Sequence, residues 1–223
     1  MKILRLRTGL TAIIENDTHI SKWVEQSGRL DHDQSMLPML NRYVQREFTV
    51  IDIGAYIGDH TEYYANRVGK TGKVYAFEPN PPAFECLKHN MAKHPQVSCL
   101  NFGASDSPHT IGIALDPNVG ASHAVQGDAI KCVDLDSLGL NECQFIKMDC
   151  EGMELKALIG AQKTISKCRP VMLLEINRGA LVRQGVTADD VFQWLDANEY
   201  SYRNVYKGQS LLGEQLDILC LPK

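Results

Sequence analysis

What this chain lacks removes several classes of protein before any motif is read. No apolar run approaches the roughly 20 residues that a bilayer-crossing helix needs, so no membrane span is expected. No CxxC pair occurs among its seven cysteines, Cys86, Cys99, Cys132, Cys143, Cys150, Cys168 and Cys220. An odd count without that spacing argues against a zinc ribbon or a disulfide framework. Several of these cysteines lie in apolar runs, such as Ser98-Cys99-Leu100 and Ile218-Leu219-Cys220, and read as buried reduced thiols of a cytoplasmic protein. There is no basic excess either. Lys and Arg number 23 against 27 Asp and Glu, a net charge of -4, so bulk nucleic-acid binding is not expected. The N-terminus interleaves charges with apolar residues and does not read as a signal peptide.

What remains is an ordinary globular composition, 44% hydrophobic over 223 residues, enough for a large core. No repeat, low-complexity tract or linker interrupts it. One domain over 1–223 is expected, with an N-terminal extension over 1–46 and a core over 47–223. The extension reads as a strand or hairpin over 3–14, broken at Thr8-Gly9. A helix around 20–25 should end at Gly28, and a second helix is expected over 34–46. From residue 48 the pattern changes. Phe48-Thr49-Val50-Ile51-Asp52-Ile53 is a short, nearly continuous apolar run, as in a strand covered on both faces. A helix over 59–68, a strand over 73–77, a helix over 81–93 and a strand over 97–102 follow. This rhythm predicts a doubly wound, mostly parallel sheet. Strands are expected over 109–115 and 129–133, joined by a loop over 116–128 long enough to cover a site. A strand over 144–149, a helix over 151–166, a strand over 170–176, a helix over 187–197 and two last strands complete the chain.

Chemistry concentrates where these strands end. Asp52-Ile53-Gly54-Ala55-Tyr56-Ile57-Gly58-Asp59-His60-Thr61 joins a strand to a helix start through a glycine turn. Glycine lets backbone approach a ligand closely, and the helix start offers free N–H groups. A dinucleotide site would want GxGxxG here, to seat a pyrophosphate. This loop is GxxxG, and Asp59 in the first helical turn would repel a phosphate. An acidic loop suits the ammonium and sulfonium of S-adenosylmethionine, against a generic tight turn. Glu78-Pro79-Asn80 ends the second strand roughly twenty residues on, where an acid can accept from both ribose hydroxyls; a helix-capping carboxylate is the bland alternative. Gly103-Ala104-Ser105-Asp106 ends the third strand. Its backbone and Asp106 are candidates for the adenine edge, against a plain loop.

Two further strand ends carry acids. Asp149 falls beside the expected methyl group. Glu151 and Glu154 fall in the first turn of the following helix, where the helix dipole would explain them. Glu175 ends the next strand. Asp149 and Glu175 could flank an acceptor hydroxyl, one of them as general base, against a merely structural buried carboxylate. His123 from the loop is a further candidate base. Asp149 and Glu151 could share a divalent ion, but no third ligand can be picked out, so no metal is expected.

These stretches, VIDIGAYIGDHT (50–61), VYAFEPNP (74–81), GASD (103–106), FIKMDCEGMELKALIGA (145–161) and LLEINRG (173–179), resemble the FkbM family of methyltransferases. The resemblance implies a class I, Rossmann-like methyltransferase fold with a C-terminal antiparallel strand. It also implies S-adenosyl-L-methionine as cofactor and O-methylation of a sugar, glycan or small-metabolite hydroxyl. The cofactor residues it implies are Asp52, Gly54, Ala55, Tyr56, Gly58, Thr61, Glu78, Pro79, Gly103, Ala104, Asp106 and Asp149, with Asp149 and Glu175 catalytic. Tyr56 stands where this family often has Asn. The extension, with Trp23 and His32-Asp33, is similar to a segment that packs over the cofactor. The competing readings are a nicotinamide-dependent oxidoreductase and a cofactor-binding module without chemistry. Oligomeric state is not legible.

Overall fold

A computed structural model describes residues 1–6, 9–30, 35–206 and 208–223. The extension begins with the antiparallel hairpin β1 (Lys2–Leu6) and β2 (Gly9–Ile13). Helix α1 (Ile20–Ser27) ends as expected, with Gly28 at φ +69° and its N–H on the Val24 carbonyl at 3.0 Å. Helix α2 is Leu37–Tyr43, shorter than the expected 34–46, because Val44 turns extended. Gln34 and the His32-Asp33 pair lie outside the described residues.

The core alternates as the rhythm predicts: β3 (Thr49–Ile53), α3 (Asp59–Val68), β4 (Lys73–Phe77), α4 (Pro81–Met91) and β5 (Val97–Leu100). Every residue of β3 is buried, as in a strand covered on both faces. Helix α4 opens on Pro81-Pro82, whose missing N–H groups would have no helical partner there.

The middle departs from expectation. After β6 (Gly103–Ala104) and β7 (His109–Ala114), β8 runs over His123–Val133. Half of the supposed loop over 116–128 is therefore strand. Residues 125–129 are exposed, so no in-out alternation marked them. Gly112 and Gly127 lie back to back at a bulge in this hairpin.

Strand β9 (Phe145–Met148) leads to two helices, α5 (Glu154–Gly160) and α6 (Gln162–Cys168), where one was expected. Glu151 at φ +54° and Gly152 at φ +102° delay the helix start, so Glu151 precedes the helix. Strand β10 (Val171–Asn177) is followed by a short helix that periodicity did not reveal, α7 (Arg178–Arg183), capped by the Asn177 side chain on the Ala180 N–H at 3.0 Å. Helix α8 (Ala188–Ala197) starts on a capping box of Thr187 and Asp190. Strands β11 (Tyr200–Asn204) and β12 (Gln215–Pro222) finish the chain.

Among the described residues, seven strands form the main sheet in the order β11-β12-β10-β9-β3-β4-β5. Strand β12 is antiparallel to β10 and β11, whereas β9, β10, β3, β4 and β5 pair in parallel. From β3 the chain winds outward through β4 and β5, then returns to β9 on the other side. That makes the boundary between β3 and β9 a topological switch point, where α/β sheets bind ligands at their carboxyl edge. No helix of the described residues is long and apolar enough to cross a membrane. All seven cysteines are unpaired; four are buried, and Cys99, Cys150 and Cys168 are partly so.

Candidate active site

A cavity of about 290 Å³ opens at this switch point. Its floor is the turn after β3. Gly54 has φ +75°, and a Cβ there would lie 1.7 Å from the Asp149 carbonyl oxygen, so only glycine lets the two strand ends meet. Tyr56 follows at φ +50°. Its N–H donates to Glu78 Oε2 at 2.7 Å, and its hydroxyl lies 3.3 Å from Ser21 Oγ on α1. The side chain found where the family often has Asn thus anchors the extension to this turn. Asn90 on α4 strengthens the anchor: it accepts from the Ala12 N–H at 2.6 Å and donates to the carbonyls of Ala12 and Ile57. His19, Ile20 and Met36 of the extension line the cavity, but Trp23 does not.

Glu78 directly follows β4 and is 5% exposed. One carboxylate oxygen accepts from Tyr56 and the other from the Asn80 N–H at 2.8 Å, leaving each oxygen a further lone pair. Burial pushes its carboxyl up to about 7. Pro79 lines the cavity beside it. So does Asn80, which was given no role of its own in the sequence. Here it does not cap α4, and both of its side-chain polar atoms are buried without a protein partner. An unpaired buried amide group costs about 1–3 kcal/mol, so it points to a ligand that supplies the missing bonds.

Gly103 and Ala104 line the cavity. Asp106 does not: it is exposed and accepts from Ser105 and Ser107, because the chain turns outward after β6. Phe102 and Ile111 supply the wall there instead. Asp52, Ala55, Gly58 and Thr61 also lie outside the cavity wall. Asp52 is fully buried, with Oδ2 accepting from the Thr61 hydroxyl at 2.6 Å. A Cβ at Gly58 would lie 2.9 Å from Met91 Cε and 3.0 Å from Leu87 Cδ1 of α4. These four residues shape the turn from behind.

The acids of β9 and β10 meet at the open side of the cavity, and Lys147 organises them. No role of its own was assigned to this lysine from the sequence. It is 6% exposed, donates to Asp149 Oδ2 at 3.2 Å and to the Gly54 carbonyl at 3.3 Å, and lies 4.0 Å from Asp52 Oδ1. Burial alone would raise the Asp149 carboxyl, but the neighbouring Lys147 charge holds it below its ordinary range. Glu175 shifts upward through burial and the Asp149 charge. The two neighbouring carboxyls are thus pushed apart, Asp149 toward its ionised form and Glu175 toward its neutral one. Gln215 fixes Glu175 by donating to Oε1 at 2.6 Å. Glu151 turns in beside them and is pushed up to about 7 by burial and by Asp149.

The third acid that could not be picked out in sequence is thus Glu175: Asp149, Glu151 and Glu175 each place one carboxylate oxygen within 4.8 Å of the others. Lys147 already supplies a positive charge to this group. His123 lines the cavity from β8.

A sheet in this order, with its cavity at the β3–β9 switch point, defines the class I methyltransferase fold. Residues 52–203 match the Methyltransferase FkbM domain, and the chain belongs to that family. Hexuronic acid methyltransferase AglP of Haloferax volcanii is 28% identical over 156 residues, covering 66% of this chain and 63% of that protein. The methyltransferase FkbM of Methylobacillus flagellatus KT superposes with a TM-score of 0.54 at 17% identity, covering 97% of this chain and 56% of that one. A Streptococcus mutans protein solved in complex with SAH superposes with a TM-score of 0.54 at 10% identity, covering 82% of this chain and 93% of that one. These two structures share the fold.

Proposed function

We propose that this protein, as one methyltransferase domain over 1–223, moves the methyl group of S-adenosylmethionine to a hydroxyl oxygen of a sugar, glycan unit or small metabolite. The observation that carries the reading is the convergence of Glu78, the unpartnered Asn80 amide and the Asp149–Glu175 pair on one cavity at the sheet's switch point. Glu78 and Asn80 fit the ribose and the nucleoside around it. Asp59, Asp149 and Glu151 make the wall acidic. That suits a cationic cofactor and opposes the pyrophosphate of a nicotinamide dinucleotide. The sugar acceptor is supported by the hexuronic acid methyltransferase among the relatives.

When bound, the cofactor supplies an electrophilic methyl group on sulfur. The residues of this chain align the acceptor and manage its proton. Asp149, kept ionised by Lys147, takes the hydroxyl proton as the new C–O bond forms and the C–S bond breaks. Alignment lowers the barrier by several kcal/mol, and a placed base adds roughly 10²–10⁴-fold. Glu175, shifted toward its neutral form and fixed by Gln215, stands beside Asp149. The step needs no metal in this proposal, although three carboxylates stand close enough to hold one. Titration with S-adenosylmethionine and S-adenosylhomocysteine, followed by turnover on a panel of sugar hydroxyls with and without EDTA, tests it. Binding together with EDTA-resistant methylation is expected. A folded protein that binds NAD and neither adenosyl ligand would overturn the reading, and EDTA-abolished turnover would overturn its metal-free step.

A further inference from the structure

A second cleft, of about 770 Å³, opens beside the first between the β7–β8 hairpin and helices α5 and α7. The two share Ile111, His123, Ala124 and Met153 as a common wall. Their electrostatics are opposite. The first is lined by several carboxylates. The second is lined by Lys156, Arg183, His109 and His123 and by no Asp or Glu among the described residues. Neither Lys156 nor Arg183 forms an ion pair or hydrogen bond with a described residue, in a chain whose net charge is -4. Arg183 acts at a distance on Glu151 of the first cavity, whose carboxyl it lowers, but no carboxylate stands in the wall of the second cleft, and two permanent cations facing it attract an anion, since bonds to charged groups are stronger than neutral ones. The cleft is also held in shape: Gln184, at the end of α7, donates to the Ala124 carbonyl on β8 at 2.8 Å. This ties the helix that carries Arg183 to the hairpin that separates the two clefts.

We infer that this second cleft docks the methyl acceptor, and that the acceptor carries an anionic group, a carboxylate or a phosphoryl, bound by Arg183 and Lys156. The inference rests on the methyl-transfer reading for the role of the ligand, not for the presence of an anion site. Binding the anion here leaves the rest of the acceptor to reach across the Met153–His123 wall toward Asp149. A neutral sugar would leave both cations unanswered. The acidic first cavity would repel the anionic group, which keeps the acceptor oriented with its hydroxyl toward the methyl donor.

The test uses the full chain saturated with S-adenosylhomocysteine and three probes that differ at one carbon: glucuronate, glucose 6-phosphate and glucose. Binding is followed by NMR on labelled protein. At least one anionic probe is expected to bind about tenfold more tightly than glucose and to shift amides around 124–127 and 153–156, and the tighter of the two names the anionic group. Arg183→Gln with Lys156→Gln should cut that affinity about tenfold or more and leave S-adenosylhomocysteine binding unchanged. Equal binding of all three probes, or full retention in the double variant, would overturn the inference. Failure of S-adenosylhomocysteine to bind would instead count against the methyl-transfer reading, and the probe titration would stand without it.

Discussion

Replacing Glu78 by glutamine separates a ribose acid from a structural carboxylate. The parent side chain accepts one backbone N–H on each oxygen, at 2.7 Å from Tyr56 and 2.8 Å from Asn80. A glutamine oxygen can keep one of these bonds, but its NH₂ must face the other N–H. That stranded donor should cost about 1–3 kcal/mol of folding stability. The cofactor loses more specifically. One ribose hydroxyl no longer finds a charged acceptor, worth about 1.5–3 kcal/mol, so S-adenosylhomocysteine affinity should fall about 10- to 150-fold. The pH dependence has a definite sign. Burial holds the free carboxyl up at about 7, and two ribose hydroxyls favour its ionised form. Below that pH, binding must release the proton, so parent affinity should drop about tenfold per pH unit and stay level above it. The glutamine variant should lose this part of the slope. Calorimetry from pH 5.5 to 8.5, in paired buffers of different ionisation heat, measures both affinity and proton release. A variant that binds within about threefold of the parent at pH 7.5 would refute the argument, as would a parent affinity indifferent to pH.

Other substitutions probe the residues around the reacting end. Lys147→Met leaves Asp52 and Asp149 without their cation and should lower unfolding free energy at pH 7 by about 3–5 kcal/mol, read by urea denaturation. Because the Asp149 carboxyl is depressed in the folded parent, its contribution is present above the ordinary carboxylate range and fades as pH falls through its lowered value. The stability gap to the variant should therefore narrow in acid, and the acid limb of turnover should move to higher pH in the variant. Lys147→Arg should restore part of both; a Met variant with parental stability and pH profile would remove Lys147 from this role. Gly54→Ala places a Cβ 1.7 Å from the Asp149 carbonyl at a positive φ. The strand ends must separate, and cofactor binding should be lost together with about 3 kcal/mol or more of stability. Undiminished binding and melting temperature would show that the turn is looser than its geometry.

The legible parts of this protein share one physical feature, strong local signals. Continuous apolar runs marked β3, β9 and β10, because strands buried on both faces need apolar side chains on both. Glycine and proline punctuated the turns after β3 and β4, and Glu78 could be placed because it follows a clear strand by one residue. Signals weakened where burial was one-sided or absent. The exposed part of β8 was read as loop, and the left-handed turn at Glu151-Gly152 hid inside a helical pattern. Asp106 was assigned to the cavity from its place after a strand end, but the chain turns it outward to Ser105 and Ser107. Nothing local marked Asn80, and only the packed site leaves its amide unpartnered in the cavity.

The amino-acid sequence by itself determined which residues stand at the carboxyl ends of strands, since that depends on local runs and their stops. It also carried the family likeness over 52–203. What only the tertiary structure decided is how those ends are juxtaposed. Asp52 stands beside Lys147 because β3 and β9 pair in that register, and Asp217 stands beside Glu175 because β12 runs antiparallel to β10. Strand order and register are non-local: they follow from packing helices on both faces of one sheet, not from any stretch of chain. With them come the meeting of Asp149 with Glu175, the cation beside Asp149, and the separation of an acidic cavity from a basic cleft beside it.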